Sequence, residues 1–322
     1  MDLRHFDKFW IYISAMKTEI NPIIQRTPSS TLMAKVKGLK PVLTLLYLCF
    51  MGLLCIIASQ KYLGVRLDPM MGLTFMCIIF GVYTLNRFTD TAEDFSNDLS
   101  RLLFFQKQGV FLFLTGASLV GSFGFLFLTG KLNWMHLLLL GMGWCYSYRL
   151  IPWYDQEAGF QLLRIKEMTF VKNLSVSFLW SASVFILPIL YSAPKHYHLG
   201  MIWMLAIGLF LSTLNNTLFD DILDEEGDRV AGIKTLPTVW GAAKSQWLLV
   251  SLNIVWITAI MGFYFAGKLD RLHATFLSFM ALYPFLYMGL NLQQKLSKGW
   301  IDFLSESDLL LFSIGLLLLS LV

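Results

Sequence analysis

Two stretches of the chain place oxygen ligands at a fixed interval. The first is Asn86-Arg-Phe-Thr-Asp90-Thr-Ala-Glu-Asp94, with Asp98 just beyond it. The second is Asn216-Thr-Leu-Phe-Asp220-Asp221-Ile-Leu-Asp224-Glu225-Glu226-Gly227-Asp228, where six acids fall within nine residues. Residues four apart on a helix stack on one face, about 6 Å apart along the axis. Asn86, Asp90 and Asp94 therefore form one polar stripe. Asp220, Asp224 and Asp228 form another, and Asp221, three residues before Asp224, shares its face.

Both clusters follow an apolar run, where the C-terminal end of a helix already carries partial negative charge. Acids there are disfavoured by roughly 0.3–1 kcal/mol each, and like charges four apart add to the penalty. A carboxylate drawn into the bilayer costs about 2.5–3.5 kcal/mol on insertion scales. Divalent cations remove the problem. Magnesium takes oxygen ligands, commonly one or two carboxylates, and fills its shell with waters and substrate phosphates. Two facing stripes would hold metal ions that bridge one diphosphate. A pair of solvated acidic loops is the plain alternative, and the repeated spacing at two helix ends speaks against it. No EF-hand ligand series is present.

The elements that must position these stripes are membrane helices. Of 322 residues, 56% are hydrophobic and only 14% charged, against about 25% charged in an average soluble domain. That composition excludes disorder and disfavours a soluble fold. The net charge of +4 gives no argument for nucleic acid. A spanning helix needs about 20 mostly apolar residues. Such runs lie near 41–59, 69–88, 109–129, 134–150, 170–191, 199–219, 246–266, 272–290 and 307–322. The expected fold is all-α: one bundle of about nine transmembrane helices over 41–322, preceded by a segment 1–40 in which His5–Ile24 is a candidate surface helix. No cleavable signal peptide is expected in 1–40. Lys and Arg number 18 on the side of the N-terminus and the even-to-odd loops and 6 on the other. The positive-inside rule makes the first side cytoplasmic. Nineteen of the 21 acids share that face, Asp68 and Asp270 being the exceptions. The expectation is a multi-pass protein of the cell inner membrane with its site on the cytoplasmic side.

Here the sequence resembles the UbiA superfamily of intramembrane prenyltransferases. Asn86-x-x-x-Asp90-x-x-x-Asp94 is similar to the family's first motif and Asp221-x-x-Asp224-x-x-x-Asp228 to its second. The latter continues into Gly232-Ile-Lys234-Thr235-Leu236-Pro237, similar to the family's Gly-x-Lys-Thr-Leu-Pro tail. Tyr146-Ser-Tyr-Arg149, then Leu163-Arg164-Ile-Lys166 and Lys172-Asn173, resemble its Tyr…Leu-Lys…Gly-Asn pattern, with Lys172 where the pattern has Gly and a longer spacer holding Trp153, Asp155 and Glu157. Leu39-Lys40-Pro41 looks like its Leu-Arg-Pro. The resemblance implies magnesium held by Asn86, Asp90, Asp94, Asp221, Asp224 and Asp228. It implies catalytic roles for Asp90, Asp94, Asp224, Asp228, Lys166 and Tyr146, and substrate contacts from Asn86, Arg149, Arg164, Asn173 and Lys234. Lysines suit phosphate oxygens as point charges and arginines as planar forks. Arg87 either neutralises the neighbouring acids Asp90 and Glu93 or has no such role.

The expected reaction is ionisation of an allylic polyprenyl diphosphate, followed by attack of an unidentified small or lipid-soluble acceptor on the cation carbon. A hydroxyl acceptor needs a proton sink, which Asp90, Tyr146 or the departing diphosphate would supply. Phosphoribosyl transfer to a polyprenyl phosphate and terpene cyclisation use the same metal–diphosphate logic. A transporter, the reading from another class, would carry its acids mid-span rather than at helix ends. The cysteines (Cys49, Cys55, Cys77, Cys145) read as buried small hydrophobes. The five histidines, including His196 and His198, fall outside the motifs.

Overall fold

A computed structural model describes residues 32–89, 108–155, 159–191, 198–230 and 232–321. Asp90, Glu93, Asp94, Asp98, His196 and the segment His5–Ile24 lie outside the described residues. In chain order the helices are α1 (Leu32–Tyr62), α2 (Pro69–Thr89), α3 (Gln108–Leu128), α4 (Trp134–Ser147), α5 (Val171–Tyr191), α6 (Leu199–Leu223), α7 (Glu225–Val230), α8 (Leu236–Trp240), α9 (Ala242–Phe265), α10 (Arg271–Leu292), α11 (Lys298–Glu306) and α12 (Asp308–Leu319). Seven of the described helices are long and apolar enough to cross a membrane. The other two expected spans differ. α4 is 14 residues long, and the last, α12, is 12 residues long and follows a further helix, α11, from which Ser307 separates it. Residues 298–306, expected as loop, are thus helical. α1 begins at Leu32, so it runs through Leu39-Lys40-Pro41 rather than starting after them.

The helices pack as an all-α bundle. α1 lies against α2, α5 and α12; α2 also packs on α3 and α4; α5 packs on α6, and α9 and α10 pair beside α6. Contact of α12 with α1 brings the first and last described helices together. Lipid tails are as apolar as leucine, so close packing and interhelical hydrogen bonds do the holding. Asn215 of α6 and Asn253 of α9 exchange amide bonds of 3.1 and 2.7 Å. Ser181 donates to the Ala206 carbonyl at 2.6 Å. Gly143 of α4 lets Val82 of α2 approach to within 2.7 Å of where a β-carbon would stand. Gly143→Val is therefore expected to destabilise the bundle by about 1–3 kcal/mol through overpacking, read as a lowered Tm in detergent.

The departure from helix, among the described residues, is a hairpin between α4 and α5: β1 (Ile151–Asp155) and β2 (Gly159–Leu163), antiparallel, with Tyr154 opposite Phe160 and Pro152 opposite Leu162. These four residues share one face and are exposed. Gly159 opens β2 at a φ of +74°, a conformation a β-carbon disfavours. A 3₁₀ turn, Ile165–Glu167, joins the hairpin to α5.

The two far-side acids serve structural purposes. Asp68 pairs with Lys131. Asp270 caps α10 by accepting from the Leu272 and His273 amides at 2.9 and 3.0 Å, and meets the His273 ring at 2.6 Å.

Candidate active site

Three helix ends converge on one cavity of about 520 Å³. α2 contributes its last turns, α5 its first and α6 its last, so each helix runs from polar to apolar going in the same direction. On α2, Asn86 and Arg87 give way to Val82, Ile79, Ile78 and Phe75. On α5, Lys172 and Asn173 are followed by Val176, Leu179 and Trp180. The eleven steps from Phe75 to Asn86 span roughly 16 Å. The cavity therefore has an ionic end at the helix termini and an apolar end within the bundle. Trp180 donates from Nε1 to the Tyr83 hydroxyl at 3.2 Å, fixing the aromatic part of the wall.

Among the described residues the ionic end holds five acids, Asp220, Asp221, Asp224, Asp302 and Glu306, against three bases, Arg87, Lys172 and Lys298. Lys172 Nζ lies 2.6 Å from Asp221 Oδ1, and Asn173 Nδ2 donates to Asp221 Oδ2 at 3.0 Å. Lys298 Nζ donates to Asp224 Oδ1 at 2.6 Å and to the Leu223 carbonyl at 3.3 Å.

The residues suit a hard divalent cation. The acids outnumber the bases, and every candidate ligand is a carboxylate or amide oxygen, the donor set magnesium takes. The buried amide oxygens of two lining residues, Asn86 and Asn173, find no hydrogen-bond partner. An unpaired buried acceptor costs about 1–3 kcal/mol, and a bound cation would satisfy it. No three acids, histidines or cysteines form a complete metal cage among the described residues, and the first stripe's Asp90 and Asp94 are not among them.

The expected site residues divide. Asn86, Tyr146, Asn173, Asp221 and Asp224 line the cavity. Asp228 is buried in α7 and does not line it. Four expected phosphate-binding cations also stand outside the lining. Ile165 lines the cavity, while the adjacent Lys166 is buried and is not among the lining residues. Lys234 is exposed, its carbonyl accepting from the Thr169 hydroxyl at 3.1 Å. Arg149 and Arg164 converge on Glu167, each with a guanidinium nitrogen 2.9 Å from Oε1. Arg164 also donates to the Thr89 carbonyl at the end of α2, at 3.3 Å, where the helix leaves carbonyls without partners. Arg164 thus ties the α4–α5 connection to α2.

Burial alone would raise the Glu167 carboxyl. The hydrogen bonds from Arg149 and the Arg164 backbone, with both guanidinium charges, outweigh it and hold the group below its ordinary 4.5. A depressed folded-state pKa gives stability that is present above the unfolded value and lost as pH falls through the folded one. Glu167→Gln is therefore expected to lower Tm at neutral pH and to flatten the decline of Tm below pH 4.5, measured in melts of both proteins across that range.

Sequence reasoning missed α11. Its Lys298, Asp302 and Glu306 all line the cavity and repeat the spacing of four that marks the two motifs. That interval was the available signal.

The fold and sequence have relatives. A UbiA homologue from Aeropyrum pernix K1 superposes with a TM-score of 0.58 at 14% identity, over 84% of this chain and 97% of that one. A UbiA homologue from Archaeoglobus fulgidus, bound to GPP and Mg2+, gives 0.57 at 14% identity, over 89% and 100%. Local sequence matches are to digeranylgeranylglyceryl phosphate synthases. That of Thermococcus sibiricus is 36% identical over 96 residues, 30% of this chain and 33% of the relative. That of Methanosphaera stadtmanae is 36% identical over 91 residues, 28% and 32%. The chain spans about a third of the length of these curated relatives. The model of the UbiA prenyltransferase family, by contrast, matches residues 45–314, the motif helices and every cavity-lining helix with them, and the chain belongs to that family of membrane-embedded prenyl-group transferases.

Proposed function

We propose that the chain transfers a polyprenyl group from an allylic prenyl diphosphate to an acceptor, in a reaction that requires magnesium. The observation that carries this reading is the graded cavity, ionic where the ends of α2, α5 and α6 meet α11 and apolar within. An allylic diphosphate has the same gradient. The solved Archaeoglobus relative bound to GPP and Mg2+ supports it.

Asn86 and Asp224, with Asp90 and Asp94, would hold magnesium, whose chemistry is to neutralise charge on the leaving diphosphate. Arg87 and Lys298 are placed at the same end for the diphosphate oxygens. The bond from the allylic carbon to the diphosphate oxygen breaks with its electron pair on the diphosphate. Phe75, Ile78, Ile79, Leu179 and Trp180 hold the chain and exclude water from the cation. Because the chain comes from lipid, this wall contributes position rather than hydrophobic driving force. The acceptor then bonds to the carbon, and its proton goes to the diphosphate or to a carboxylate, with Tyr146 lining the same cavity. The basic face, with the cavity, is assigned to the cytoplasm, and the membrane to the cell inner membrane.

The local likeness to digeranylgeranylglyceryl phosphate synthases favours a glyceryl phosphate lipid among the acceptors to be tried. Membranes containing the protein are incubated with magnesium, labelled prenyl diphosphates of several lengths and a panel of acceptors, and the lipids are analysed by mass. A prenylated acceptor is the expected product. A phosphoribosylated lipid from a parallel arm with phosphoribosyl diphosphate, or diphosphate passage without turnover, would overturn the reading.

A further inference from the structure

Two ion pairs at the cavity have the same length and different surroundings. Lys298 and Asp224 lie 2.6 Å apart, with the lysine side chain 55% exposed. Lys172 and Asp221 lie 2.6 Å apart with side chains 13% and 9% exposed. An exposed pair is weak and exchanges readily. A buried pair is held by the cost of leaving either charge alone. Asp224 can thus release Lys298 and take a divalent ion in its place.

Asp221 is differently placed. One oxygen accepts from Lys172 Nζ and the other from Asn173 Nδ2. Both donors belong to the first turn of α5, whose N-terminus adds its own partial positive charge. A divalent ion at Asp221 would stand beside an ammonium held by a largely buried ion pair. Lys172 also lines the cavity, so its charge faces the compartment where the diphosphate is placed.

We infer that the Lys172 ammonium occupies, as a built-in monovalent cation, the position at Asp221 that a divalent ion would otherwise take. This rests on the proposed metal–diphosphate reading. It removes Asp221 from the metal ligands, leaves Asp224 as the second motif's ligand in the cavity, and makes Lys172 a positioning residue for the diphosphate.

Manganese binding tests this without turnover. Purified protein in detergent is titrated with Mn2+ in the presence of inorganic pyrophosphate, and free Mn2+ is read by electron paramagnetic resonance. Asp221→Asn keeps the shape and is expected to bind as many ions as wild type, with Kd changed by less than about threefold. Asp224→Asn is expected to lose an ion or to weaken Kd by about tenfold or more. Lys172→Met is expected to gain one ion, and Lys172→Met with Asp221→Asn to return to the wild-type number. Loss of an ion in Asp221→Asn, or no gain in Lys172→Met, overturns the inference while leaving the metal reading intact. If Lys172→Met does not fold, the comparison of wild type with Asp221→Asn decides alone. Absence of Mn2+ binding by the wild type overturns both.

Discussion

Replacing Asp224 by alanine is expected to lower prenyl-diphosphate turnover by about 10²–10³ or more, the scale seen when a group stabilising transition-state charge is removed. The same is expected of Asp90→Ala in the first motif. Stability is expected to change far less. Asp224 is tied in the structure to a lysine that is largely exposed, and such pairs contribute about 0–1 kcal/mol. The contrast between kcat/KM and Tm is the informative quantity. Wild-type rates in Asp224→Ala would remove the second motif from the chemistry. A collapse of both quantities would make Asp224 a structural residue.

Removing divalent metal is expected to stop turnover altogether. Five acids among the described residues share the ionic end of the cavity, and without a cation a diphosphate would enter against their field. A chelator should abolish product formation, and excess Mg2+ or Mn2+ should restore it. Ca2+ should restore it poorly, since its bonds to oxygen are about 2.3–2.6 Å long against about 2.0–2.1 Å for magnesium, in a looser shell. The measurement is product formed per minute against free metal concentration. Full turnover in chelator would show that lysines and arginines alone carry the leaving group.

The sequence made the motif helices legible because their signals are local. Uninterrupted apolar runs end in Asn86 on α2 and in Asp221 and Asp224 at the end of α6, and the structure brings those ends to one cavity. His198 marks the start of α6 and Asp224 follows its end, about 39 Å apart at 1.5 Å per residue, which separates the histidine from the site. That four expected cations stand outside the lining follows from what a linear pattern lacks. Lys166 and Ile165 are adjacent, yet only Ile165 lines the cavity, since one step in a tight turn swings the side chain by about 120°. Arg149 and Arg164 resemble free phosphate ligands until the hairpin folds and delivers both to Glu167. α11 was hidden because it mixes Lys, Asp and Glu with Trp, Ile and Phe. In a chain otherwise read by unbroken hydrophobicity such a helix resembles a loop, and its charges make sense only once a polar cavity lies on that side.

The clasp at Glu167 also makes the hairpin a replaceable cassette. Arg149, before β1, and Arg164, after β2, end on the same carboxylate oxygen, and Ile151 pairs with Leu163, so the chain between them begins and ends side by side. Residues inserted at the tip leave the start of α5 where it is, with Lys172 and Asn173 on it. Each doubling of a flexible loop costs only about 0.6 kcal/mol of closure entropy, so length there is nearly neutral. A graft from another protein would keep the geometry of the cavity as long as it carried the two arginines and the glutamate as a set.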